Sequence, residues 1–238
     1  MPKGERMSKI RSFFREELAG WKAPEIAWLG IACLVILCLS IYWHDTWYGI
    51  VSAVTGVACV VCTGKGKLSA YIYGTINVLL YAFISFQAHY YGEVMLNLIY
   101  YFPMEFYGFY VWSKYMDSET HEVEKRLMKP MGFLILILAD AAGTFFYGFV
   151  LQKLGGSLPF VDAFTTVSSV AAMILSVFMY AEQWLLWIII DVVTIYLWGV
   201  AFAGGSDTIA TLLMWVVYLI NAVIMFVRWY REARTHEV

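Results

Sequence analysis

The chain has 238 residues, of which 61% are hydrophobic and only 14% charged, with a formal net charge of −2. At a mean hydropathy of +0.68 the apolar surface exceeds what one water-soluble core can bury. The composition therefore excludes an ordinary soluble domain and points to a polytopic membrane protein.

Residues 1–25 are basic and only moderately apolar. Met7, Ile10, Phe14, Leu18 and Trp21 recur at helical spacing, with Lys9, Arg11 and Arg15 elsewhere around the helix. That is the outline of an interfacial amphipathic helix. No A-x-A-like site follows the next apolar run, so a cleaved signal peptide is not expected.

Eight apolar spans follow, at about 26–43, 47–63, 68–86, 93–112, 131–151, 160–180, 184–203 and 207–228. Each is close to the roughly 20 residues that a bilayer core requires. The breaks are short and polar or glycine-rich, such as His44-Asp45-Thr46 and Gly64-Lys65-Gly66-Lys67. Cys33, Cys38, Cys59 and Cys62 all fall inside apolar runs. The Cys59-x-x-Cys62 pair lacks the fold context of a redox motif, and all four read as packing groups. Of the 16 Lys and Arg, 15 gather on one side if the N-terminus is cytoplasmic, leaving only Lys153 opposite. This predicts that both termini are cytoplasmic. The loop 113–130, rich in charges of both signs, reads as solvated and without chemistry.

A duplication is visible in outline. Residues 66–77 can be laid on 180–191, which brings Asn77 onto Asp191 and Tyr73 onto Trp187; further on, Tyr101 meets Tyr218 and Trp112 meets Trp229. The expected architecture is an all-α polytopic membrane protein of eight transmembrane helices, an extra N-terminal helix followed by a 3+1+3 parallel-repeat core. Its divisions are an amphipathic segment (1–25), an added helix (26–46) and a first three-helix repeat (47–112). A loop (113–130), a linking helix (131–159), a second three-helix repeat (160–229) and a tail (230–238) complete it.

In the seventh span Trp184, Trp187, Asp191, Thr194 and Trp198 recur at i, i+3, i+7, i+10 and i+14, so they share one helix face. A carboxylate at mid-depth costs about 2.5–3.5 kcal/mol on insertion scales and normally faces the bundle interior. Trp184 also fits an interfacial aromatic belt, and Asp191 an interhelical hydrogen bond. Asn77 lies at the middle of its own span, flanked by Tyr73 and Tyr81. Gln87, Asn97, Glu105 and Asn221 are further intramembrane polar candidates, as is Asp140 in the linking helix. Pro103 is expected to loosen the helix carrying Glu105 and free a backbone carbonyl.

The W-x-x-W of Trp184 and Trp187 with Asp191, the segment Tyr107-Gly108-Phe109-Tyr110-Val111-Trp112 and the 3+1+3 plan together resemble the PnuC family of nicotinamide riboside transporters. The resemblance covers roughly residues 47–229. It implies a fold related to the sugar-transporting SWEET proteins, a homotrimer and facilitated diffusion across the bacterial inner membrane. It also implies that a cytoplasmic nicotinamide riboside kinase traps the substrate by phosphorylation. The residues suit such a ligand: aromatic faces can hold a pyridinium by stacking and cation–π attraction, and amide and carboxylate groups can pair with the carboxamide and ribose hydroxyls.

Other classes fare less well. No lysine lies at the middle of a span, as a retinal-type photoreceptor would need, and no histidine does, as haem or quinone chemistry would want. A carrier for thiamin, riboflavin or a small sugar is the nearest alternative, since function lives in the site. An intramembrane hydrolase built on Asp140 and Asp191 is a distant one. No catalytic residue, metal, cofactor or nucleic-acid partner is expected; the partners are a small solute and the lipid bilayer.

Overall fold

A computed structural model describes residues 12–13, 15–88, 91–153, 159–205 and 209–236. Among the described residues the regular structure is helical apart from two isolated bridges, Met116 with Val123 and Arg126 with Tyr180. The helices are α1 (Ala23–Tyr42), α2 (Trp47–Lys65), α3 (Ser69–Gln87), α5 (Pro130–Lys153), α6 (Pro159–Val177), α7 (Gln183–Ala203) and α8 (Ile209–His236). Between α3 and α5 runs a composite helix, α4. It is built from Tyr91–Met95, a π-helical turn Leu96–Tyr101 and Phe102–Lys114. The seven unbroken helices are each long and apolar enough to cross a membrane. With α4 they occupy the eight spans expected from hydropathy.

Local chemistry sets the helix ends. Thr46 caps α2 by accepting from the Gly49 amide at 3.2 Å. Gly66 ends it in the left-handed region at φ +81°, with Lys67 N–H reaching back to the Cys62 carbonyl at 3.0 Å. Pro103 lacks the donor that would bond the Ile99 carbonyl. The ladder slips there into the π turn, where Phe102 N–H bonds the Asn97 carbonyl. The expected loosening is therefore present, as a π turn just before the proline.

Six helices close into a ring: α2 packs on α3, α3 on α4, α4 on α6, α6 on α7, α7 on α8, and α8 back on α2. α1 lies outside the ring against α2 and α8, while α5 rests mainly on α6. In lipid there is little hydrophobic drive between helices, so close approach depends on small residues. α2 supplies them: Gly49, Ser52, Ala53, Gly56, Ala58 and Gly64 are buried along it. A Cβ at Gly56 would overlap the Tyr218 hydroxyl, the Asn77 amide and the Met214 sulfur. That glycine lets three interior side chains converge. On α5 the polar anchor is Asp140, which accepts from Ser168 at 3.0 Å.

The N-terminal segment and the loop 113–130 depart from expectation. Met7, Ile10 and Phe14 lie outside the described residues. Leu18 is exposed, but Trp21 packs against the α1–α2–α8 core rather than lying free on a surface. The loop is not simply solvated. Val123 is only 1% exposed and packs among Tyr71, Trp112 and Trp229, and the Arg126 backbone pairs with Met179 and Ala181 at 2.9 Å. Its charges reach partners on α2 and α8, which no local sequence pattern indicates.

Candidate functional site

The ring encloses a cavity with about 1070 Å³ of atom-free space, its mouth included. α7 presents Trp184, Trp187, Asp191 and Thr194 to it, as their shared helix face predicts. Trp184 is 3% exposed and meets Trp229 edge to face at 5.8 Å, so it is not part of an interfacial belt. Trp187 stands 6.5 Å from the Tyr101 ring. Asp191 is 1% exposed, and its Oδ1 has no hydrogen-bond partner among the described residues. The indole N–H of Trp184 likewise has none. Thr194 back-bonds to the Ile190 carbonyl at 2.9 Å, leaving a lone pair toward the cavity.

Across from α7, α3 contributes Asn77 and Tyr81, and α4 contributes Asn97 and Glu105. Asn77 and Asp191 thus line one cavity, as expected, but Asn77 is committed elsewhere. Its amide donates to the Ser52 carbonyl at 2.8 Å and the Ser52 hydroxyl at 3.1 Å, tying α3 to α2. Asn97 donates to the Glu93 carbonyl at 2.8 Å within its own helix. The Glu105 carboxylate lies in the space that Gly74 leaves by having no side chain. Tyr81 accepts from the Trp198 indole at 2.9 Å, tying α3 to α7 at the end away from the termini.

Three candidates lie outside the cavity wall. Tyr73 is 38% exposed on the outer surface. The buried face of α3 runs through Tyr71, Gly74, Val78 and Tyr81, at i, i+3, i+7 and i+10, and Tyr73 is rotated away from it. Gln87 is exposed at the last residue of α3. Asn221 is fully buried, but its amide holds the Val60 carbonyl of α2 at 3.1 Å. The cavity also uses residues that the sequence reading passed over. Tyr71, Trp215 and Tyr218 are aromatic walls, and Thr165, Ser169 and Ser176 form a polar stripe on α6. The i, i+4, i+11 spacing of that stripe is the signal that could have revealed it.

Asp140 bonds Ser168 and is not part of the cavity wall, so it forms no catalytic pair with Asp191 there. Among the described residues no cluster of His, Cys, Asp and Glu could hold a metal.

A closed ring of membrane helices around one polar and aromatic cavity is the form of a solute carrier, in which a central site lies between two helical groups. Comparison with known proteins then gives the family. Residues 46–231 match the nicotinamide mononucleotide transporter family. The nicotinamide riboside transporter PnuC of Neisseria mucosa is 40% identical over 227 residues, covering 93% of this chain and 86% of that protein. Its counterpart in Haemophilus influenzae is 32% identical, covering 90% and 93% respectively. A crystal structure of the vitamin B3 transporter PnuC superposes with a TM-score of 0.86 at 38% identity, covering 94% of this chain and 98% of the other. The chain belongs to this family, the PnuC transporters; it is a membrane transport protein and not an enzyme.

Proposed function

We propose that the chain carries nicotinamide riboside into the cell by facilitated diffusion, through an alternating-access site in the central cavity. The observation that carries this reading is the α7 wall, where two tryptophans precede, on the same face, a buried carboxylate oxygen that has no partner among the described residues. A flat pyridinium cation meets all three needs of that wall: stacking, cation–π attraction and a counter-ion. The relatives' names support the choice of solute. In this reading the substrate contacts are Trp184, Trp187, Asp191, Thr194, Asn77, Tyr81 and Glu105.

The finer architecture belongs to the same proposal. Residues 47–112 and 160–229 act as two parallel three-helix units linked by 131–159, with 26–46 as an N-terminal addition, 1–25 and 230–238 as flanking segments and 113–130 as the loop between them. The closed ring, with α1 and α5 outside it, supports that division. The Lys and Arg distribution supports cytoplasmic termini in a bacterial inner membrane. The largely uncovered α5 is the surface a homotrimer would use. Phosphorylation by a cytoplasmic kinase keeps the gradient inward, because a carrier of this kind only equilibrates its solute.

Purified protein should bind nicotinamide riboside and discriminate against thiamin, riboflavin and glucose. In liposomes it should exchange labelled for unlabelled substrate without any ion gradient, and net uptake should stop at equal concentrations. Accumulation above the external concentration under an imposed pH or sodium gradient, abolished by an ionophore, would refute uncoupled transport.

A further inference from the structure

Two layers of side chains cross the ring at the end where the described chain begins and ends. The first is aromatic. Tyr71 meets Trp112 at 5.1 Å, Trp112 meets Trp229 at 6.5 Å, and Trp229 meets Trp184 at 5.8 Å. Two of these indoles are pinned to other helices: Trp229 donates to the Gly64 carbonyl at 2.8 Å, and Trp112 to the Ser176 and Val177 carbonyls at 3.2 Å.

The second layer is ionic and lies outside the first. Glu122, in the loop, bridges Lys65 at 2.9 Å, Lys125 at 2.9 Å and Arg228 at 3.8 Å. Glu25, in the first turn of α1, bridges Lys65 at 3.0 Å and also pairs with Arg228. Glu232 bridges Arg228 at 2.7 Å and Lys125 at 3.0 Å. Beside them Lys67 is fully buried and donates to the carbonyls of Glu16 at 3.1 Å and His121 at 2.9 Å. It thereby ties the N-terminal segment and the loop across the same end.

The six ion-paired residues comprise three carboxylates and three cations, each matched, so the cluster offers no surplus charge to an anionic ligand. They come from α1, α2, the loop and α8. α2 and α8 belong to different three-helix units, so the network spans the seam along which the units would separate. Lys65 and Lys125 are buried while the carboxylates and Arg228 are partly exposed, so the network holds as long as that end stays dry, and losing one partner leaves a buried charge uncompensated. Each charge can pass to water when its pair breaks.

We propose that this network is the latch of the inner gate: it holds α2, α8 and the loop together while the cavity is closed on that side, and parts when solute leaves there. The inference rests on the alternating-access reading and the cytoplasmic placement of the termini given above.

The test uses the full chain in membrane vesicles of both orientations. Cys59 lines the cavity, so with Cys33, Cys38 and Cys62 replaced by Ala it reports access. Glu122→Gln should raise labelling of Cys59 by a cationic, impermeant methanethiosulfonate about tenfold from the face bearing the termini, without a gain from the other face. A second variant, Glu25→Cys/Arg228→Cys on a background without native cysteines, is bridged by a short bismaleimide. The bridged protein should still bind nicotinamide riboside but stop transporting it, whereas capping with N-ethylmaleimide should leave transport running. Unchanged Cys59 labelling in Glu122→Gln overturns the latch, as does transport by the bridged protein or its loss in the capped one. Sidedness is read separately from Ser118→Cys in the exposed loop: labelling from outside intact cells would refute the orientation, while the bridging result would still judge the latch.

Discussion

On the α3–α4 wall of the cavity, Asn77 donates to Ser52 of α2, and Asn97 donates to the Glu93 carbonyl. On the α7 wall opposite, Asp191 Oδ1 and the Trp184 indole meet no partner among the described residues. Both walls are polar, yet the first largely spends its hydrogen-bonding capacity on holding helices, and the second keeps it for something else. A buried group without a partner costs of the order of 1–3 kcal/mol, so a wall that leaves such groups uncovered trades fold stability for binding. Two groups on the α3–α4 wall are exceptions: Glu105, a carboxylate lodged against Gly74 at the cavity edge, and Tyr71, whose hydroxyl has no partner among the described residues. The comparison teaches that polarity inside a membrane bundle does not by itself mark a binding residue. What marks it is a polar group that the fold leaves unsatisfied and turns into the cavity.

Three substitutions can break or sharpen this contrast. The largest effect is expected at Asp191. Asp191→Ala should weaken nicotinamide riboside binding by about ten- to a hundredfold, while the melting temperature of the empty protein holds or rises, because an unpartnered buried carboxylate has been removed. Calorimetric titration beside a thermal melt checks both halves; equal affinity, or a marked fall in stability, would erase the distinction between the walls. Asn77→Ala should behave in the opposite sense. It removes the α3–α2 bond, although the Ser52 carbonyl still accepts from the Thr55 hydroxyl at 3.1 Å, and should destabilise the fold by about 1 kcal/mol, with a smaller loss of affinity. A variant as stable as the parent would show that the α2–α3 bond does not hold the helices together. The smallest effect belongs to Gln87→Ala, on the exposed end of α3. Affinity and uptake there should stay within about twofold of the parent, as surface substitutions usually do. A larger loss would mean that the functional cavity extends beyond the wall described.

Much of this molecule was legible in the sequence because a bilayer imposes a one-dimensional rule. A span needs about 20 apolar residues whatever it packs against, so eight spans emerge and the helices match them closely. The short breaks carry their own chemistry, as Thr46 and Gly66 show. Helical periodicity also brought Trp184, Trp187, Asp191 and Thr194 onto one face of α7, and that face lines the cavity.

Rotation and pairing were another matter, since they depend on neighbours far along the chain. Tyr73 looked equivalent to Asn77 and Tyr81 by spacing, yet steps of four residues drift around a helix of 3.6 residues per turn. Only the packing of α3 against α2 and α4 selects Tyr71, Gly74, Val78 and Tyr81 as the inward face. Asn221 was rightly placed inside, but its partner is the Val60 carbonyl, 161 residues earlier. The loop 113–130 is the plainest case. Its mixed charges describe a solvated segment until Lys65, Arg228 and Glu232 are brought beside Glu122 and Lys125. Hydropathy and period are properties of a segment alone, so the sequence determined the spans, the class of protein and one wall of the cavity. Which polar groups find partners is a property of the assembled ring, and only the tertiary structure decided it.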